Sequence, residues 1–211
     1  MARPRFLLPF IALALFAASC TSAPPPESGS YSVTELLTAR AAKDEQFRTA
    51  SDSPVPPGRR VGLLPLAYFP PDPSYSVPAV LVPPAGDQPL VEMPTSTGDR
   101  RKMRRVGTLE FSLKGHPLKL GAYVEEGDTT DRLFVPFTDL TTGSETYPGG
   151  RYLDLTRTAT GIYVIDFNRA YEPYCAYNPK YDCPYPPPDN RLPIPIRAGE
   201  RLKAAGGGHT R

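Results

Sequence analysis

The chain has 211 residues, 24 of them basic and 22 acidic, for a formal net charge of +2. That length allows one domain, and a hydrophobic content of 40% allows it a packed core. The 28 prolines exclude an all-helical protein, the balanced charge excludes a general nucleic-acid footprint, and two distant histidines, His116 and His209, offer no histidine-rich metal site.

Arg3 and Arg5 precede an apolar run from Phe6 to Phe16, which has the length of a signal-peptide core and is too short to span a bilayer. Ala17, Ala18 and Ser19 are small, and Cys20 follows. This order resembles the lipobox of exported lipoproteins, although Ala17 stands where leucine is commoner. The resemblance implies that residues 1–19 are a cleaved signal peptide and that Cys20 carries lipid. Thr21 to Ser30 cannot build a core and reads as a flexible tether, so 20–30 links the membrane to the domain. The expected location is extracytoplasmic, on the outer or plasma membrane. Thr21, not aspartate, after the cysteine leans towards the outer one. With Cys20 lipidated, an oxidising compartment predicts a disulfide between Cys175 and Cys183.

Residues 31–203 then read as one β-rich domain, and 204–211 as a Gly-rich disordered tail. Ser32 and Glu35 have capping-box spacing. Val33, Leu36, Leu37, Ala41 and Phe47 recur at helical spacing, which predicts one amphipathic helix over 32–50. Short strands are expected at 63–69, 76–82 and 90–93. Leu109, Phe111 and Leu113 alternate with polar residues, and Leu118, Leu120, Ala122 and Val124 do so after the Lys114–Pro117 turn. Further strands are expected at 133–137, 152–155 and 161–167. The pattern is that of an antiparallel sandwich or a small barrel. Arg100, Arg101, Lys102, Arg104 and Arg105 form a basic run, read as a solvated hairpin arm at the sheet edge in preference to a polyanion patch.

The stretch FTDLTTGSETYPGGRYLDL and, further on, DFNRAYEPYCAYNPKYDCPYPPPDNRLPIPIRAGE are distinctive. With R-x-x-K-D-x-x-F at Arg40, Lys43, Asp44 and Phe47, they resemble a bacterial family known as domain of unknown function family 1684. Glu172 stands where the family leads one to expect asparagine. The resemblance implies no activity.

Function must therefore be read from the residues. If the ends of the strands after Phe137 and Ile165 meet on one rim, Asp139, Glu145, Tyr147, Arg151, Asp166, Asn168 and Tyr171 cluster there. Eight of the twelve tyrosines lie between 147 and 185, so that rim would be roofed by tyrosine. Arg151 could hold a carboxylate or phosphate. Glu145 or Asp166 could act as a general base, and the carboxylates with Asn168 could hold a hard cation, although calcium-loop spacing is absent. A structural reading competes: Arg151 paired with Glu145 or Asp166 would simply join two loops. Nucleophile-elbow, phosphate-loop and C-x-x-C motifs are absent, and no cofactor is expected. The leading expectation is a lipid-anchored binding module for a small anionic ligand or a peptide. The alternatives are a hydrolase or lyase, or a structural envelope protein.

Overall fold

The computed structural model describes residues 31–86, 90–128, 130, 132–159 and 161–203. The signal peptide, Cys20, the tether and the tail at 204–211 lie outside the described residues.

Seven antiparallel strands form the body: β1 (Ser76–Val82), β2 (Val91–Pro94), β3 (Arg100–Leu113), β4 (His116–Glu125), β5 (Arg132–Phe137), β6 (Arg151–Thr156) and β7 (Tyr163–Asp166). Their order is β6-β5-β4-β3-β1-β7, with β2 added beside β3. The two end strands, β6 and β7, approach each other, so the sheet is a nearly closed barrel. Strand alternation explains the closure. Leu109, Phe111 and Leu113 on β3, Leu118, Leu120 and Ala122 on β4, Val135 and Phe137 on β5 and Ile165 on β7 all enter one core. Each contributes about 0.8 kcal/mol per buried methylene.

β3 is longer than its expected core, because the basic run belongs to it. That run does not sit at the sheet edge: β2 pairs on one side, and β4 on the other. A register shift between Arg105 and Gly107 turns the strand over. It aligns Arg105 with Tyr123 and Met103 with Glu125. Met103 and Tyr123 then form a small cluster with Met93, apart from the main core. Arg101 and Arg105 donate to Asp182 and Asp189, which ties the Pro-rich segment 182–189 to the barrel wall.

Asn190 fastens the same segment. Its Oδ1 accepts from Gly121 N at 2.7 Å, and its Nδ2 donates to the carbonyls of Gly121 and Pro136 at 2.9 and 2.6 Å. Glycine is required beneath it, since a Cβ on Gly121 would lie 3.0 Å from Asn190 Oδ1 and 2.8 Å from the Tyr123 hydroxyl.

α1 (Val33–Thr49) matches the expected helix, and Ser32 Oγ caps it by accepting from Glu35 N at 3.1 Å. Glu35 itself bonds Arg169 at 2.9 Å and does not complete a capping box. The helix buries only Leu36 and Phe47. Polar side chains dock the rest: Arg40 donates to the carbonyls of Phe69 and Asn168, Lys43 pairs with Glu200, and Asp44 accepts from Leu66 N. The R-x-x-K-D-x-x-F pattern is thus the seam between α1 and the body.

Two further expectations fail. No strand spans 63–69; α2 (Pro57–Leu63) occupies its start, with Pro57 at the first helical position, where a missing N–H costs nothing. What remains of it is one bridge between Tyr68 and Glu200. The second failure is the disulfide. Cys175, on the short α3 (Tyr174–Tyr177), and Cys183 are free, buried thiols. They lie side by side, with Cys175 N donating to Cys183 Sγ at 3.2 Å.

Candidate functional site

The seven residues expected on one rim divide among several environments. Arg151 begins β6 just after Gly150, whose φ of +84° and contact with the Phe137 carbonyl admit no side chain. Its guanidinium is wholly buried and pairs with Asp139 at 2.9 Å, not with Glu145 or Asp166. It also donates to the carbonyls of Ile196, Ala198 and Glu200 at 2.7, 2.5 and 3.2 Å. The second oxygen of Asp139 accepts from Thr141 N and Ile196 N at 2.7 and 3.1 Å. Every oxygen of this carboxylate is used within the protein. The pair locks the segment 196–200 across the end of the barrel.

Glu145 lies at the surface, in a two-pronged bond from Arg197 at 2.8–3.0 Å. Hydrogen bonding from Arg197 holds its carboxyl below the usual range. Asp166 accepts from Asn168 N at 3.1 Å and Tyr31 at 3.2 Å, and pairs with Arg169 at 3.3 Å. Asn168 bridges Asp166 and the backbone of Asp72 at 2.9–3.0 Å. Tyr147 N donates to Glu172 at 3.1 Å. Among the described residues no three His, Cys, Asp or Glu side chains converge as a metal site requires.

Of the seven, only Tyr171 faces the principal cavity, a groove of about 960 Å³. One wall is α1, with Ala39, Lys43 and Phe47; the floor carries Phe134 of β5 and Tyr152 of β6; the far wall is the segment 171–184. The aromatic rings meet edge to face: Phe134 with Tyr152 at 4.7 Å, Tyr152 with Tyr171 at 5.8 Å, Tyr174 with Tyr181 at 5.3 Å and Phe47 with Tyr174 at 6.0 Å. Each such pair adds about 0.5–1.5 kcal/mol beyond its area. Charges on the walls nearly balance, with Lys43, Arg101 and Arg132 against Glu125, Asp128, Asp154 and Asp182. Several are engaged already: Tyr171 donates to Asp154 at 3.0 Å, and Arg101 to the Asp182 carbonyl at 3.0 Å.

A second cavity, of about 190 Å³, shares Ala39, Lys43 and Tyr171 with the groove and adds Arg40, Tyr68, Arg169 and Glu200. Glu200 is its buried hub. It takes bonds from Lys43 at 2.5 Å, Glu172 N at 2.9 Å, Tyr68 at 3.5 Å and the Tyr177 hydroxyl. Burial, with Glu200 close by, pushes the Glu172 carboxyl up to about 7.

The tyrosine crowding at 171–181 and the spacing of Lys43 and Phe47 were visible in the sequence. Their convergence with Phe134 and Tyr152 was not, because α1 and the strands are far apart along the chain. The outer face of β1 and β7 also exposes Pro78, Val80, Val82, Ile162 and Val164.

A small, nearly closed β-barrel with a helical strap and an aromatic groove between them defines the class of protein. The chain belongs to the family of proteins of unknown function DUF1684, whose pattern it matches over residues 64–201. It is also similar to an uncharacterised protein of Haloarcula marismortui, solved in solution by NMR. The two share 39% identity with a TM-score of 0.62, over 80% of this chain and 93% of that one. No curated protein matches.

Proposed function

We propose that this chain is an exported, lipid-anchored binding module whose small organic ligand lies in the groove between α1, β5–β6 and the segment 171–184. The observation that carries the reading is the groove itself, about 960 Å³ and lined by Phe47, Phe134, Tyr152, Tyr171, Tyr174 and Tyr181. Its volume is at the upper end for small-molecule sites, and its aromatic rings offer an apolar seat within walls that also carry seven charged residues. Lipidation at Cys20 and the tether at 20–30 rest on the sequence, and put the module at the extracytoplasmic face of a membrane. Among the described residues no helix is long and apolar enough to cross it.

Catalysis finds less support. Glu145 is at the surface under Arg197, Asp166 is engaged by Tyr31, Asn168 and Arg169, and neither lines a described cavity. A structural envelope role rests on the exposed strip of β1 and β7, which offers no cleft.

The test is thermal melting of the full chain against a panel of small aromatic acids, neutral aromatics, sugars and short peptides. A ligand at a hundred times its Kd adds about 2.7 kcal/mol, which a melt registers. The expected result is a stabilising small molecule whose effect is lost in Tyr181→Ala. Stabilisation by peptides alone would shift the occupant to a protein segment; stabilisation unaffected by Tyr181→Ala and Phe134→Ala would sink the groove.

A further inference from the structure

We infer that the smaller cavity is an oxyanion seat, in which Arg40 binds the phosphate or carboxylate head of the molecule whose body lies in the groove. The inference rests on the groove reading and deepens it. It starts from α1, where Arg40 and Lys43 are three residues apart and therefore share a helix face. With Arg169 they give this cavity three cations against the one carboxylate of Glu200.

Two of those cations are compensated. Lys43 is held by Glu200 at 2.5 Å, and Arg169 by Glu35 and Asp166 at 2.9 and 3.3 Å. Arg40 is not. Its two terminal nitrogens donate only to the carbonyls of Phe69 and Asn168, at 3.2 and 3.0 Å. Those groups satisfy hydrogen bonds but carry no net charge. Its Nε is buried without a hydrogen-bond partner among the described residues, and its remaining close contact is the face of Tyr68 at 4.3 Å. Among the described residues no carboxylate forms an ion pair with it, and Glu200 and Asp166 favour its charge only from farther off; a partly buried guanidinium without a direct counter-ion is costly. Burial lowers its pKa, and an anion bound beside it would reverse that.

Size and position agree. A cavity of about 190 Å³ is several times the roughly 30 Å³ that a water molecule occupies in the liquid, enough for a tetrahedral oxyanion. Because the cavity shares Ala39, Lys43 and Tyr171 with the groove, one molecule can place its head at Arg40 and its body among the aromatic rings. The groove's own charges nearly balance, so the adjoining cavity is what selects an anion.

Calorimetric titration of the full chain with inorganic phosphate, phenyl phosphate, benzoate and phenol tests this. Phosphate is expected to bind alone, and phenyl phosphate about tenfold tighter or more. Arg40→Gln should weaken both by about tenfold or more, the scale of a lost charge-assisted bond, and leave phenol unchanged. Should that variant lose the docking of α1, Arg169→Gln is expected to weaken phosphate several-fold with the fold intact. Benzoate binding as well as phenyl phosphate would assign a carboxylate head; a strong preference for phenyl phosphate would assign a phosphate. Phenol binding without any response to phosphate or benzoate would overturn the seat and leave the groove. Phosphate binding with no gain from the phenyl ring would keep the seat and overturn the groove.

Discussion

The Arg151–Asp139 clamp and the Arg40 cavity are two cationic sites in one small barrel, the first wholly buried and the second partly so, and they differ in how their charge is met. Arg151 has a carboxylate at 2.9 Å and three carbonyls around it, in a setting with no access to solvent. Arg40 has two carbonyls, a tyrosine face and a cavity. In the sequence only Arg151 stands out as a candidate anion site, beside the tyrosine-rich stretch; Arg40 appears there only as part of the R-x-x-K-D-x-x-F pattern. A site needs charge without a direct counter-ion beside open space, and of the two only Arg40 has it. Arg151 also keeps an unpartnered buried Nε, but its charge is met by Asp139 at 2.9 Å and it lines neither described cavity; the clamp holds the chain's last described segment against the barrel.

The largest effect that would break this comparison is the removal of Arg151. Arg151→Met should cost about 3–5 kcal/mol in urea unfolding, because Asp139 is left charged and buried with three carbonyls unpaired. A folded variant that loses less than about 1 kcal/mol would mean that the pair is not a clamp.

Glu172 sharpens the contrast through pH. Its carboxyl is raised to about 7 from an ordinary value near 4.5 by burial and by Glu200. The folded state therefore holds a proton that the unfolded state releases between those values. Its stabilising contribution is complete below about 4.5 and lost as pH rises through about 7. Glu172→Gln should flatten stability across that window and raise it at pH 8, on the order of 1–3 kcal/mol. An unchanged pH profile would refute the assignment.

Groove substitutions should do less to the fold and more to binding. Tyr181→Ala, at a half-buried ring packed on Tyr174 at 5.3 Å, is expected to cost about 1 kcal/mol of stability and to abolish the ligand-induced melting shift. The smallest effect belongs to Glu145→Gln. Its pair with Arg197 is at the surface, and such pairs contribute little. Stability should fall by less than about 1 kcal/mol, and a large drop in the unfolding midpoint would show that Glu145 had been misplaced among the surface residues.

Much of the fold was legible. The Ser32 cap and the spacing of Leu36 and Phe47 predicted α1 to within a residue at each end. The alternation through Leu109–Leu113 and Leu118–Val124 predicted the central hairpin. Legibility failed at 63–69, where an apolar run has the composition of a strand but Pro57 starts a helix and Pro65 cannot donate to a ladder. It failed again at the rim. Arg151 was singled out as a ligand-binding residue, or as one paired with Glu145 or Asp166; the structure pairs it with Asp139, a choice that depends on where the chain crosses, not on spacing.

Sequence by itself determined most of the elements of this protein and its family, because periodicity, caps and turn residues act over a few positions. It also marked the chemistry-bearing side chains. Only the tertiary structure decided which of those are consumed. Burial and pairing are set by segments far apart in the chain. The Asp139 carboxylate meets Arg151 because 196–200 packs across the barrel end, and Arg40 lies beside a cavity because the side chains of α1 dock on Leu66, Phe69, Asn168 and Glu200, leaving a space lined by Tyr68 and 168–171.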